Sequence, residues 1–171
     1  MTLHKNIHIK LFTIKDAHLF SKLRREIEEE ADCMLAKKGE RKEGALRVLV
    51  KLLISQRRTV TFLAFDGKKD IGYISVVFPK FSKLKGNGYL TIALREKYRG
   101  QGIGNMLMEI SEKDSRERGV RRMELEVFGK NTHAIELYKK RGYEIEGIKK
   151  EAIQSGDGYD DLVIMAKRLI H

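Results

Sequence analysis

The sequence predicts a mixed α/β fold in one domain spanning residues 1–171, with a central, mostly antiparallel sheet flanked by helices. Three observations lead there. The chain has 171 residues, 42% hydrophobic and 35% charged, which is enough for one well-built core and too little for two. Segments with the two-residue alternation of strands and segments with the 3.6-residue spacing of helices follow one another along it. Between them runs no linker: proline occurs once, and no repeat or low-complexity stretch interrupts the pattern.

In chain order the elements read β-α-α-β-β-β-α-β-α-β-β. Asn6 to Phe12 sets Ile7, Ile9 and Leu11 between polar neighbours, as a half-buried strand does. Thr13-Ile14-Lys15-Asp16 then resembles a capping box, and Phe20, Leu23 and Ile27 follow at helical spacing. A polar stretch from the Glu28-Glu29-Glu30 run, expected to be a solvated helix end, to Lys37-Lys38-Gly39 leads to a second helix striped by Leu46, Leu49, Val50 and Leu53. Thr59 to Phe65 and Ile71 to Phe78 are rich in β-branched and aromatic residues and flank the turn Asp66 to Asp70, which predicts an antiparallel hairpin. A polar loop with Lys83, Lys85, Gly86 and Gly88 precedes a strand over Tyr89 to Leu94. Ile103, Met106, Leu107 and Ile110 mark an amphipathic helix ending near Gly119. Arg121 to Phe128 alternates again, Asn131 to Arg141 forms a short helix ended by Gly142, and two strands joined near Gly156-Asp157-Gly158 complete the chain.

Bulk properties exclude several classes. No apolar run approaches the ~18 residues of a membrane helix, because Arg47 and Lys51 interrupt the most apolar segment, Leu46 to Ile54. Met1 to Asn6 lacks the apolar core of a signal peptide. A cytoplasmic protein with no membrane partner is expected. The lone Cys33 excludes an intramolecular disulfide and a cysteine zinc cluster, and His4, His8, His18, His133 and His171 lack metal-motif spacing, so no metal is expected and Cys33 reads as a buried apolar residue. The formal net charge is +11, which alone suits polyanionic partners. The excess, however, is spread over residues 1–142 and reverses to net acidic in residues 143–171. Without a basic arm, no specific nucleic-acid partner is expected.

The segment richest in chemistry is Leu94 to Gly104, which runs from a strand end into a helix start. Glycines at 100, 102 and 104 let backbone amides approach a ligand. Amides converging at a helix N-terminus, reinforced by its dipole and by Arg99, form an anion cradle suited to a pyrophosphate. The plainer reading is a glycine-rich connection. Two other phosphate motifs fail: a dinucleotide GxGxxG needs glycine where Asn105 or Leu107 stands, and no Gly-Lys-Ser/Thr occurs.

Tyr98-Arg99-Gly100-Gln101-Gly102-Ile103-Gly104 resembles the acyl-CoA signature (Q/R)-x-x-G-x-(G/A) of the GNAT superfamily of N-acyltransferases, with Arg99, Gly102 and Gly104 at its defining positions. Asn131 to Tyr143 resembles that family's N-x-x-A-x-x-L-Y-x-x-x-G-(F/Y) block. The element order matches the GNAT fold, so the resemblance covers nearly the whole chain, and the branch it favours is that of ribosomal-protein-alanine N-acetyltransferases. It implies acetyl-CoA as acyl donor. The pantetheine arm would pair with Ile92, Ala93 and Leu94, and the diphosphate would sit on the amides from Gln101 through Ile103 to Gly104, beside Gly100 and Arg99.

Acyl transfer to an amine requires a neutral attacking nitrogen and a proton for the departing thiolate. The resemblance implies Tyr138 as the acid; the alternative is a core residue on an amphipathic helix. It implies Glu126, twelve residues earlier, as the base that deprotonates the amine, against the alternatives of a solvated surface carboxylate and of a base acting through water. Gly88, near the family's other base position, cannot serve. Asn131 either caps its helix, touches cofactor, or does both. The acceptor is expected to be a small-molecule amine or a protein N-terminal amine. Its pocket would be formed by about Glu28 to Gly44 and by the hairpin around Gln154 to Asp161, where Asp157, Asp160 and Asp161 would favour a cation. A homodimer stays open. The alternative from another class is a non-catalytic GNAT-fold module that binds CoA or the ribosome.

Overall fold

The computed structural model describes residues 6–30 and 58–169 of the chain. The second helix expected over Leu46 to Leu53, Cys33, and most of the segment Glu28 to Gly44 lie outside the described residues. The remaining elements appear in the expected order, and they fall into two compact units. The first joins the described residues up to Val77 with Thr91–Ser111, and the second joins Phe78–Leu90 with the residues from Glu112 onward.

The first unit opens with β1 (Ile7–Leu11), a single 3-10 turn (Ile14–Asp16) and α1 (Ala17–Glu30). The backbone N and Oγ1 of Thr13 both donate to Asp16 Oδ2 at 2.8 Å, so the expected capping signal is the one that turns the chain into the helix. β2 (Thr59–Asp66) and β3 (Lys69–Val77) form the expected hairpin. Its turn is tighter than the sequence pattern suggests: Asp66 pairs with Lys69, leaving only Gly67 and Lys68 in the loop, with Gly67 at φ +58°. β1 pairs antiparallel with β2, and the strand order of this unit is β1-β2-β3-β4, to which β4 (Asn87–Leu94) contributes its last residues. One face of α1 packs Phe20, Leu23 and Ile27 with Phe12, Leu63, Tyr73 and Ala93. The rings of Phe12, Phe20 and Tyr73 meet edge to face, with centroids 5.3 and 5.0 Å apart, an arrangement that adds to the area they bury. Leu11 departs from the expected alternation: it ends its strand half exposed, and Phe12 turns into the core instead.

In the second unit β4 begins two residues earlier than the sequence suggests, so Gly88, expected in a loop, is a buried strand residue registered with Met123. β4 runs parallel to β5 (Arg122–Phe128), which pairs antiparallel with β7 (Gly158–Arg168). β6 (Glu144–Ser155) pairs antiparallel with β7, so the order here is β4-β5-β7-β6. Between β5 and β6 lies α3 (Thr132–Lys140).

α2 (Ile103–Glu117) starts in the first unit and ends in the second. Both α2 and α3 close with the same backbone device. Gly119 takes φ +78°, its N–H donates to Arg116 O, and Val120 N donates to Ser115 O. Gly142 takes φ +84°, its N–H donates to Lys139 O, and Tyr143 N donates to Tyr138 O. These are Schellman closures, in which only a residue tolerant of a left-handed backbone fits after the cap. The buried stripe of α2 differs from the apolar spacing: Met106 is exposed, while Ser111, Glu112 and Ser115 are buried beside Leu107 and Met108.

Candidate active site

The glycine-rich strand-to-helix turn lies wholly in the first unit. β4 ends at Leu94, one 3-10 turn follows over Glu96–Tyr98, and Arg99 to Gly102 lead, all exposed, into α2. Gly100 and Gly102 hold φ +70° and +83°, yet an added Cβ would meet nothing within 4 Å at either. Their requirement for glycine is therefore backbone handedness rather than room. The first helical bond is Met106 N to Gly102 O. The N–H groups of Ile103, Gly104 and Asn105 precede it at the positive end of the helix, where intrahelical acceptors are lacking. Two side chains brace the turn. Arg99 Nε donates to Leu94 O at 3.1 Å, and Gln101 Nε2 donates to Lys97 O at 2.6 Å. Ile92, Ala93 and Leu94 lead directly into it and lie beyond the registered β4–β5 pairs, which cover Asn87–Tyr89.

Sequence reasoning missed what fixes this turn. Arg95 fans its guanidinium over three partners: Nη2 reaches Glu26 Oε2 at 2.5 Å and Asp70 Oδ2 at 3.0 Å, Nη1 reaches Glu30 Oε1 at 3.3 Å, and Nε reaches Asp70 O at 2.8 Å. Glu30 also accepts from Glu96 N at 3.2 Å. Of the Glu28 to Glu30 run, Glu29 and Glu30 are exposed as expected, yet Glu30 joins Glu26 in anchoring the strand end, and Glu28 is buried. The hydrogen bond from Arg95 holds the Glu26 carboxyl below its usual range, outweighing the opposing effect of burial. Gly72 is the other missed position. A Cβ there would lie 2.3 Å from Leu94 Cδ2 and 2.7 Å from Ala93 O, so glycine lets β3 approach the strand end.

The remaining candidates lie in the second unit. Asn131 caps α3: its Oδ1 accepts from Ala134 N at 3.3 Å. One turn from the other end of α3, Tyr138 is only 6% exposed, with its ring 6.0 Å from that of Tyr143. Burial pushes its phenol above the ordinary tyrosine range, so it stays protonated across the working pH range. Glu126 stands on β5 opposite Ile164 of β7 with its side chain 41% exposed, and Oε1 accepts from Lys149 Nζ at 2.8 Å. Its neighbour on the same face, Glu124, accepts from Arg122 Nε at 2.7 Å. Asp160 and Asp161 of the hairpin are engaged within the unit. Asp160 accepts from Lys130 N and Asp161 N, and Asp161 accepts from Lys150 Nζ at 2.7 Å and Glu151 N at 3.0 Å. The latter contact steadies Glu151 at φ +51° in a bulge of β6. Asp157 remains exposed in the turn.

Known proteins resemble this chain in sequence and fold. Residues 21–143 match the Acetyltransferase (GNAT) family. The [Ribosomal protein bS18]-alanine N-acetyltransferase of Escherichia coli (strain K12) is 36% identical over 75 residues, which are 44% of this chain and 51% of that protein. The chain thus matches about half the length of this curated relative. Among solved structures, the acetyltransferase of GNAT family from Streptococcus pneumoniae has 25% identity and a TM-score of 0.84 over 95% of this chain and 99% of its own. The yncA protein from Salmonella typhimurium, solved with its cofactor acetyl-CoA, shares the fold with a TM-score of 0.84 over 98% of this chain and 96% of its own, at 14% identity. With the family match running from α1 through the glycine-rich turn to Tyr143 just past α3, the chain belongs to the acetyltransferase (GNAT) family.

Proposed function

We propose that this protein is an acetyl-CoA-dependent N-acetyltransferase that transfers an acetyl group to a primary amine by direct attack in a ternary complex. The observation that carries the reading is the turn at Arg99 to Gly104: two left-handed glycines lead into a helix start whose first amides have no intrahelical acceptor, beside the guanidinium of Arg99, as a diphosphate requires. The yncA protein's bound acetyl-CoA supports this ligand. Ile92, Ala93 and Leu94 would pair with the pantetheine amides, because buried amides need partners and a strand edge supplies them.

In the proposed reaction the amine nitrogen attacks the thioester carbonyl carbon. A C–N bond forms, the C–S bond breaks, and the amine loses one proton while the thiolate gains one. Tyr138, held protonated by burial, donates to the thiolate, which is itself made more basic by the same exclusion of water. Glu126 takes the proton from the amine. It pairs with Lys149, and an acceptor ammonium arriving there would exchange with that lysine. The relative's name supports a protein N-terminal amine as acceptor, and a small-molecule amine is the other chemistry that the same steps serve.

The test is calorimetry with acetyl-CoA followed by thiol release across a panel of free amines and peptides with free N-termini. Tyr138→Phe is expected to lower kcat about a hundredfold with acetyl-CoA affinity unchanged, and Glu126→Gln to lower kcat/KM for the acceptor. Unchanged turnover in Tyr138→Phe removes the tyrosine from the mechanism. Acetyl-CoA binding without turnover on any amine instead favours the second reading, a non-catalytic CoA-binding module, which the exposure of Glu126 and its pairing with Lys149 would equally suit.

A further inference from the structure

The second unit buries a charge cluster that the proposed chemistry does not use. Glu112, on the last turns of α2, has its side chain 2% exposed, and its Oε2 accepts from Lys167 Nζ at 2.8 Å and from Arg141 Nη2 at 3.0 Å. Arg116 Nη2 lies 3.8 Å from the same oxygen. The other oxygen of Glu112, the Nε of Arg141 and the hydroxyl of Ser115 are buried without hydrogen-bond partners. Stability does not account for such a cluster. Burying charge is costly, and apolar side chains of similar volume usually serve a fold as well or better. What a buried carboxylate shared by two cations supplies is a defined geometry.

Both cations lead to Tyr138. Arg141 closes α3, and its backbone N–H donates to the carbonyls of Leu137 and Tyr138. Lys167 places its ammonium over the Tyr143 ring, 5.8 Å from the centroid. Tyr143 in turn donates its N–H to Tyr138 O at 2.9 Å and sets its ring beside that of Tyr138. One carboxylate therefore holds Tyr138 by two routes, through the helix end and through the neighbouring ring.

We propose that Glu112 is a positioning residue for Tyr138, clamping Arg141 and Lys167 so that the closing turn of α3 and the Tyr138–Tyr143 pair keep one geometry. This rests on the reading of Tyr138 as the acid. The test is the triple variant Glu112→Leu, Arg141→Leu, Lys167→Met, made in the wild-type and in the Tyr138→Phe backgrounds. Its melting temperature is expected to hold or rise, while kcat falls about tenfold with acetyl-CoA affinity unchanged. In the Tyr138→Phe background the same three substitutions should leave kcat where it was. A 3-fluorotyrosine label, with the Tyr138 resonance assigned by its loss in Tyr138→Phe, should give one narrow line in the wild type and a shifted, broadened line in the triple variant. If the triple variant does not fold, Glu112→Asp, which keeps the charge and withdraws it by one methylene, goes through the same cycle. Wild-type kcat in a folded variant, an equal loss in both backgrounds, or an unmoved fluorine line overturns the clamp. Failure of the acid assignment is read separately, from Tyr138→Phe alone, and the fluorine line reports the clamp in either case.

Discussion

At Gly72 an added Cβ would stand 2.7 Å from the carbonyl oxygen of Ala93 and 2.3 Å from Leu94 Cδ2, whereas at Gly102 it would stand in open space with the backbone at φ +83°. The leucine tip can swing away, but the carbonyl belongs to the strand end and cannot retreat without moving β4. Gly72→Ala is therefore expected to cost about 2–3 kcal/mol by overpacking, read as a lower urea midpoint. It should also weaken acetyl-CoA binding, because Ala93 and Leu94 are the residues proposed to face pantetheine. Gly102→Ala meets no obstacle and suffers only the left-handed backbone, about 1–2 kcal/mol. That strain falls on the amides at the start of α2, so the larger effect should be on ligand affinity, about tenfold by calorimetry. A Gly72→Ala protein with wild-type midpoint, or a Gly102→Ala protein with wild-type affinity, would contradict these separate assignments.

Among the elements, α1, β3 and β4 meet at one side chain. Arg95 is 12% exposed and bonds to the last turns of α1 and to Asp70 near the start of β3. Arg95→Ala leaves Glu26 and Asp70 partly buried without their cation, so a loss of about 2 kcal/mol is expected, again from urea unfolding. Arg95→Lys should recover little of it, since an ammonium cannot reach three separated oxygens in a plane. A lysine variant as stable as the wild type would show that charge alone suffices. Nothing in the local sequence announced this junction, because its partners stand 25, 65 and 69 residues away from Arg95. What the sequence did announce was local chemistry: the Thr13 to Asp16 cap, the glycines that close α2 and α3, and the strand-to-helix turn at Arg99 to Gly104 each depend on residues within a few positions of one another. The buried stripe of α2 escaped for the same reason as Arg95. The apolar spacing marked only Ile103, Met106, Leu107 and Ile110 on this helix, and Glu112 is buried because Arg141 and Lys167, far along the chain, are brought against it. Tyr138 was legible as a residue of the Asn131 to Tyr143 motif, and its placement beside the Tyr143 ring came from the structure.

Over the whole molecule the cations outnumber the carboxylates, with a net charge of +11, and each unit has carboxylates drawn below their usual range by those cations. In the first unit, burial would raise Asp16, but hydrogen bonds from Lys10 and Thr13 prevail and lower it, and Arg95 lowers Glu26. In the second, Arg122 lowers Glu146 and Lys150 lowers Asp161. A carboxyl that binds its proton more weakly folded than unfolded stabilises the fold fully above its unfolded value, about 4. That stabilisation is lost as pH falls through the folded value, because unfolding then takes up a proton. Glu146 and Asp161 are surface pairs and contribute little, so the dependence should rest on Asp16 and Glu26. Below about pH 4 the loss of carboxylate charge also leaves the lysines and arginines repelling one another, which acts in the same direction. The urea midpoint is therefore expected to be flat from neutral pH to about 5 and to fall steeply below about 4. Glu26→Gln should be less stable than the wild type at neutral pH and converge with it near about pH 3, where the native Glu26 is losing its charge as well. A gap between the two proteins that stays constant across that range would mean that Glu26 stabilises the junction with Arg95 by shape and not by charge.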